Sequence, residues 1–212
     1  MRTSRRWLGA LCAVLAGATL LGAGDAKASE GAARSVVEGA LDEIIVILND
    51  TGAPEDVRRD KIADIAYQHF DFDTMSKLVI ARPWRKFTEA ERAEFIAEFK
   101  THLARSYGRR LSRYEGVNVE VVGEIAEQRG DVTVQSKVVG GQFDGAEMNY
   151  RMRGKTGTWL VIDVVIEGVS LVSNFRSQFR PIVTEGGAKE LLRRLKDKND
   201  VLQQELNEEG GA

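Results

Sequence analysis

Residues 159–166 read Trp-Leu-Val-Ile-Asp-Val-Val-Ile, apolar at every position except Asp163. A strand with one face in water alternates, so a run without alternation needs cover on both faces. Glu167-Gly168 breaks the run. From Val169 onward the apolar residues change period, with Leu171, Val172, Phe175, Phe179, Ile182 and Val183 at helical spacing. One strand covered on both sides therefore turns into one helix. Helices cover one side of it; either more protein or a ligand covers the other.

The rest of the chain supplies the cover. Residues 29–34 read as a flexible leader of small residues. Residues 35–49 read as a helix with Val37, Leu41, Ile44, Ile45 and Leu48 on one face, and Val36, Val46 and Ile47 widen that face beyond an ordinary stripe. Gly52 and Pro54 end it and open a second helix over 54–70. Asp73 is expected to cap a short helix holding Met75, Leu78 and Val79. Thr88 and Glu91 have the spacing of a capping box. They head the longest helix, where Phe95, Phe99, Leu103, Tyr107 and Leu111 recur at steps of four until Gly116. The period then becomes two. Strands over 117–127, 132–139 and 147–153 lead through tight turns into the opening run, which predicts an antiparallel meander of four strands. A helix over 170–184, Gly186-Gly187, a last helix over 188–206 and a disordered tail at 207–212 complete an α+β domain. One domain spans residues 29–206.

The first 28 residues read as a cleaved export signal. Arg2, Arg5 and Arg6 precede an apolar run over 7–21, and Ala26-Lys27-Ala28 offers a small-x-small cleavage site. The run is too short for a membrane span. Ser4-Arg5-Arg6 also fits twin-arginine export. Cys12, the only cysteine, lies within the signal, so the expected mature chain has no disulfide, thiolate metal site or cysteine nucleophile. Cleavage removes four basic residues and one acidic residue and takes the net charge from −2 to −5. An acidic chain argues against general nucleic-acid binding.

Catalytic patterns are sparse. His69, Asp71 and Asp73 lie close enough to imagine a metal site, but a cap and a helix-end histidine account for them. Asp163 and Glu167 are expected on one strand face about 13 Å apart, too far for a glycosidase pair. Backbone amides or arginines binding each of them is the better reading. No phosphate loop follows a strand, and no nucleophile elbow is present. An exported enzyme using Asp163 with Tyr150 or His102 is the competing reading, and an adaptor with a closed core is another.

What remains is a surplus of large apolar residues. An ordinary core accounts for it, and so does an apolar cavity between sheet and helices. The residues also carry a resemblance. The order Asp163-Val164, Glu167-Gly168-Val169-Ser170 and Asn174-Phe175-Arg176 resembles the signature of the MlaC-type, toluene-tolerance auxiliary proteins, with Phe175 for the usual tyrosine. Phe70-Asp71-Phe72, Trp84-Arg85, Thr88 and Ser106-Tyr107 are similar too. The likeness covers roughly residues 35–200.

The resemblance implies a cone-like, nuclear-transport-factor-related core and a non-enzymatic, monomeric periplasmic protein. It implies phospholipid as cargo and no cofactor. Its implied partners are an inner-membrane ABC transporter with an MCE ring and an outer-membrane lipoprotein–porin complex. Hopanoid cargo occurs among relatives. The expected lipid-binding positions are Val169 foremost, then Val165, Val172, Phe175, Met148, Tyr150, Met152, Phe99, Leu103 and Tyr107. Arg151, Arg153 and Arg176 are candidates to meet a lipid phosphate.

Overall fold

The computed structural model describes residues 25–111, 117–155 and 157–210. Most of the expected export signal, and the expected helix stop at Gly116, lie outside them.

Four helices come first: α1 (Asp25–Asn49), α2 (Glu55–His69), α3 (Phe72–Ile80) and α4 (Glu89–Leu111). Five strands follow: β1 (Asn118–Ala126), β2 (Asp131–Val139), β3 (Glu147–Lys155), β4 (Thr158–Ile166) and β5 (Val169–Ser170). Helix α5 (Leu171–Gly210) ends the described chain. The strands lie in one antiparallel sheet in chain order. The fold is α+β as expected, with helices on either side of the sheet in the chain.

Several local expectations change. Helix α1 begins ten residues earlier than its apolar face, at Asp25. Ala33 is completely buried, and the Arg34 amide donates to Glu124 Oε1, so residues 33 and 34 are packed rather than a flexible leader. The short helix is capped by Asp71, not Asp73: Asp71 Oδ1 accepts from the Thr74 amide at 2.9 Å. Asp73 sits in the first turn and pairs with Lys77. The Thr88–Glu91 capping box forms as read, with the Thr88 amide donating to Glu91 Oε2 at 2.8 Å and the Glu91 amide to Thr88 Oγ1 at 3.2 Å. Helix α5 is two helices joined at Gly187, whose φ of 68° is left-handed. At Gly186 a Cβ would stand 2.4 Å from Glu190 Cβ, so no side chain fits the kink. The second half runs on to Gly210, where a disordered tail was expected.

The strand count differs because the opening run does not pass straight into the helix. Glu167 (φ 48°) and Gly168 (φ 77°) form a two-residue turn with both central residues left-handed, the geometry that suits a tight hairpin. The chain folds back for two residues, pairing Ile166 with Val169 and Val165 with Ser170, before α5 starts. That short return is the fifth strand.

Two cores result. Helices α3, α4 and α5 enclose an aromatic cluster in which Phe95 and Phe99 stack at 5.5 Å and Phe99 meets Phe175 edge-on at 5.3 Å. Helix α1 packs on the inner sheet face, over Val132, Val134, Met152, Val161 and Val164. Phe70 borders both clusters.

The outer sheet face carries a buried charge. Asp131 has a fully buried side chain and takes Arg153 through both carboxylate oxygens at 2.7 Å, with Arg151 at 3.0 Å. Burial pushes this carboxyl up, but the two guanidiniums outweigh it and hold it below the ordinary value. A depressed folded-state value contributes stability that is present above the unfolded value of about 3.9 and lost as pH falls through the folded value. Asp131→Asn is therefore expected to cost about 1–3 kcal/mol at pH 7 and to flatten the acid limb below about pH 4. Urea midpoints of both proteins from pH 7 down to pH 2 check this.

Candidate functional site: an apolar cavity between two cores

The two cores do not merge. Between them lies a cavity of about 180 Å³. Its sheet wall is Met148 and Tyr150 from β3 and Val161, Val164 and Ile166 from β4. Helix α1 supplies Val36, Val37, Ala40, Leu41 and Ile44. Helix α2 supplies Ile62, Ile65, Tyr67 and His69 and helix α4 supplies Leu103 and Tyr107, with small residues beside them: Ala63 and Ala66 on one, Ala104 and Gly108 on the other. Phe70, Phe72 and Leu171 close the remaining sides. The space exists because short side chains stand where these helices face the sheet.

A bulge shapes the sheet wall. Arg151 pairs with Asp163 and Met152 with Val161, so Ile162 is an extra residue in β4. Val161 and Val164, three apart, consequently share the inner face, which plain alternation forbids. The polar groups at the wall are few. Tyr150 Oη lies 2.9 Å from Met148 Sδ, and burial pushes its phenol well up, so it stays neutral.

Four of the ten expected lipid-binding residues line this cavity: Met148, Tyr150, Leu103 and Tyr107. Six stand elsewhere. Val169 is 58% exposed at the β4–β5 turn, because the hairpin swings it out to solvent. Val165 is half-buried and is not among the lining residues. Phe99, Val172 and Phe175 are spent in the helical core. Met152 is fully buried in the sheet core, outside the cavity lining. The α1 and α2 contributions were missed, although the unusually wide apolar face of residues 36–48 was a signal for α1. Arg151 and Arg153 are held by Asp131, and Arg176 Nε donates to Leu78 O at 2.9 Å.

The groups weighed for catalysis have structural partners. Asp163 Oδ1 accepts from the Val172 amide at 3.0 Å and Oδ2 from Ser170 Oγ at 2.5 Å. Glu167 Oε1 accepts from the Glu147 amide at 2.5 Å. His102 Nδ1 lies 3.0 Å from Asn199 Oδ1 in the α4–α5 interface, and burial lowers its pKa. Among the described residues no group of three or more His, Cys, Asp or Glu is placed to hold a metal ion, and no helix is long and apolar enough to cross a membrane.

The MlaC protein family profile matches residues 38–197, three quarters of the chain. The chain belongs to the MlaC family. Those residues contain nearly every wall of the cavity. The toluene tolerance protein Ttg2D of Pseudomonas putida is 27% identical over 118 residues, which are 55% of this chain and 55% of that protein. The chain thus matches about half the length of this curated relative. A solved structure of a phospholipid-binding protein from Ralstonia solanacearum, in complex with a phospholipid, superimposes with a TM-score of 0.73. It covers 81% of this chain and 98% of that one at 22% identity, a likeness of fold.

Proposed function

We propose that this MlaC-family protein is a phospholipid carrier that takes acyl chains into the cavity between its two cores. The observation that carries the reading is the cavity itself, almost wholly apolar and given room by Ala40, Ala63, Ala66, Ala104 and Gly108 among the larger residues of α1, α2 and α4. Leaving that volume unfilled would cost on the order of 4 kcal/mol in lost packing. Each methylene placed there returns about 0.8 kcal/mol. A cost of that size is consistent with space kept for an occupant.

The wider role follows the family. The protein is a periplasmic shuttle of an Mla-like system that maintains outer-membrane lipid asymmetry, receiving and delivering lipid between an inner-membrane MCE-domain ABC transporter and an outer-membrane lipoprotein–porin complex. The chemistry it needs is binding and release, without covalent change to the cargo. The export signal read in residues 1–28 and the acidic mature chain support this setting.

Cavity size favours a second reading of the cargo. About 180 Å³ has room for on the order of a dozen water-sized groups, one acyl chain's worth. A single acyl chain suits that volume; a two-chain lipid or a bulky polycyclic hopanoid requires the walls to part. Organic extraction of the purified protein and mass spectrometry decide between them. The expected result is about one phospholipid per protein. Protein that carries no lipid and takes none from phospholipid vesicles would overturn the proposal.

A further inference from the structure

A second cleft, of about 350 Å³, opens beside the cavity between α2, α4 and the end of α5. Three residues, Ala63, Tyr67 and Ala104, line both spaces, so the polar cleft and the apolar cavity share a wall. Two arginines, Arg59 and Arg105, stand in its wall. Arg59 lies across Gly108, where a Cβ would stand 3.0 Å from Arg59 Cγ, and Gly108 itself lines the apolar cavity. The guanidinium of Arg105 is fixed by its Nη1, which donates to Asn199 O at 2.7 Å. Lys100 Nζ sits 3.6 Å over the ring of Tyr67 and adds positive charge at the junction.

We infer that this cleft binds the phosphodiester of the lipid whose chains occupy the cavity, with Arg59 and Arg105 as its ligands. The inference rests on the carrier reading and specifies its headgroup site. A guanidinium presents paired N–H donors that match two phosphate oxygens, and charge-assisted bonds of this kind are the strong ones. Arg59 now pairs with Asp60, the next residue, whose side chain is 73% exposed. Asp60, which also lines the cleft, can swing into solvent and leave the mostly buried Arg59 side chain to a phosphate. Ala63 and Ala104 put only short side chains in the wall that separates tail space from head space, where the glycerol backbone would lie.

The test offers the delipidated full-length protein nonionic detergent micelles holding equimolar phosphatidylglycerol and diacylglycerol of the same acyl chains. Bound lipid is then counted by mass spectrometry. The wild type is expected to prefer the phospholipid, R59Q to lose roughly tenfold of that preference and R59Q/R105Q to approach parity. R105Q also removes a bond to α5, so R59Q alone, checked by its melting curve, carries the result if the double variant does not fold. Equal uptake of both lipids by the wild type overturns the headgroup site and leaves the carrier reading standing. Uptake of neither overturns both. A preference unchanged in R59Q and the double variant places the phosphate elsewhere. Glycerol 3-phosphate is expected not to displace the lipid; displacement would mark a site for soluble phosphate instead.

Discussion

Val164→Asp is expected to abolish lipid retention, while Val169→Asp leaves it unchanged. Both residues belong to the same strand–turn unit, and the sequence favours Val169 as the pocket position. The structure separates them. Val164 is 5% exposed and forms part of the cavity wall, whereas Val169 is 58% exposed on the far side of the hairpin turn. A carboxylate at Val164 faces apolar walls with no partner, a cost of several kcal/mol that is met by taking up a proton or admitting water. Either response makes the space hostile to acyl chains. A carboxylate at Val169 stays in solvent. The expected outcome is less than about a tenth of wild-type lipid in extracts of Val164→Asp, given that each 1.4 kcal/mol is tenfold in affinity. Ala66→Phe tests the same site by volume, filling the cavity without adding charge. Full lipid content in both Val164→Asp and Ala66→Phe would place the binding site elsewhere.

Asp163→Ala is expected to be the most destabilising single change at the strand–helix corner, at about 3 kcal/mol or more. Asp163 is buried, and its two oxygens bind the two ends of the start of α5, the Ser170 hydroxyl and the Val172 amide. Ser170 Oγ in turn accepts from the Ser173 amide at 3.0 Å, capping the helix. Removing the carboxylate leaves a buried amide without its acceptor and frees the capping hydroxyl from its anchor. Ser170→Ala loses the cap alone and is expected to cost about 1 kcal/mol. Urea denaturation of the two variants checks the order; a cost for Asp163→Ala no larger than for Ser170→Ala would mean that the carboxylate does not hold the corner.

Much of the fold was legible because its determinants are local. The Thr88–Glu91 box, the steps of four from Phe95 to Tyr107, the alternating strands and the Gly186-Gly187 break each act within a few residues, and each appears in the structure as read. Asp163 and Glu167 read as structural because a carboxylate flanked by apolar strand residues needs amide partners, and both have them. The early start of α1 was hidden because Ala, Ser and Gly carry no periodic signal. Asp71 and Asp73 are equally good caps in sequence, and docking of the Asp71 amide on Val161 O at 2.9 Å chose between them.

The candidate site was legible only in part, for a different reason. Sequence alone determined that the chain is α+β, that β4 is covered on both faces and that more apolar surface is present than one helix layer needs. It could not assign which apolar residues face each other and which face a space. The bulge at Ile162 reversed the facing of half of β4, and the hairpin at Glu167-Gly168 carried Val169 into solvent. Phe99, Val172 and Phe175 have the same character as cavity residues but fill the helical core. A cavity is volume that side chains fail to fill, and here it is made by Ala40, Ala63, Ala66, Ala104 and Gly108, which attract no notice in a search for greasy positions. Periodicity determines which face of an element is buried; only the tertiary arrangement decides whether that face meets protein or open space.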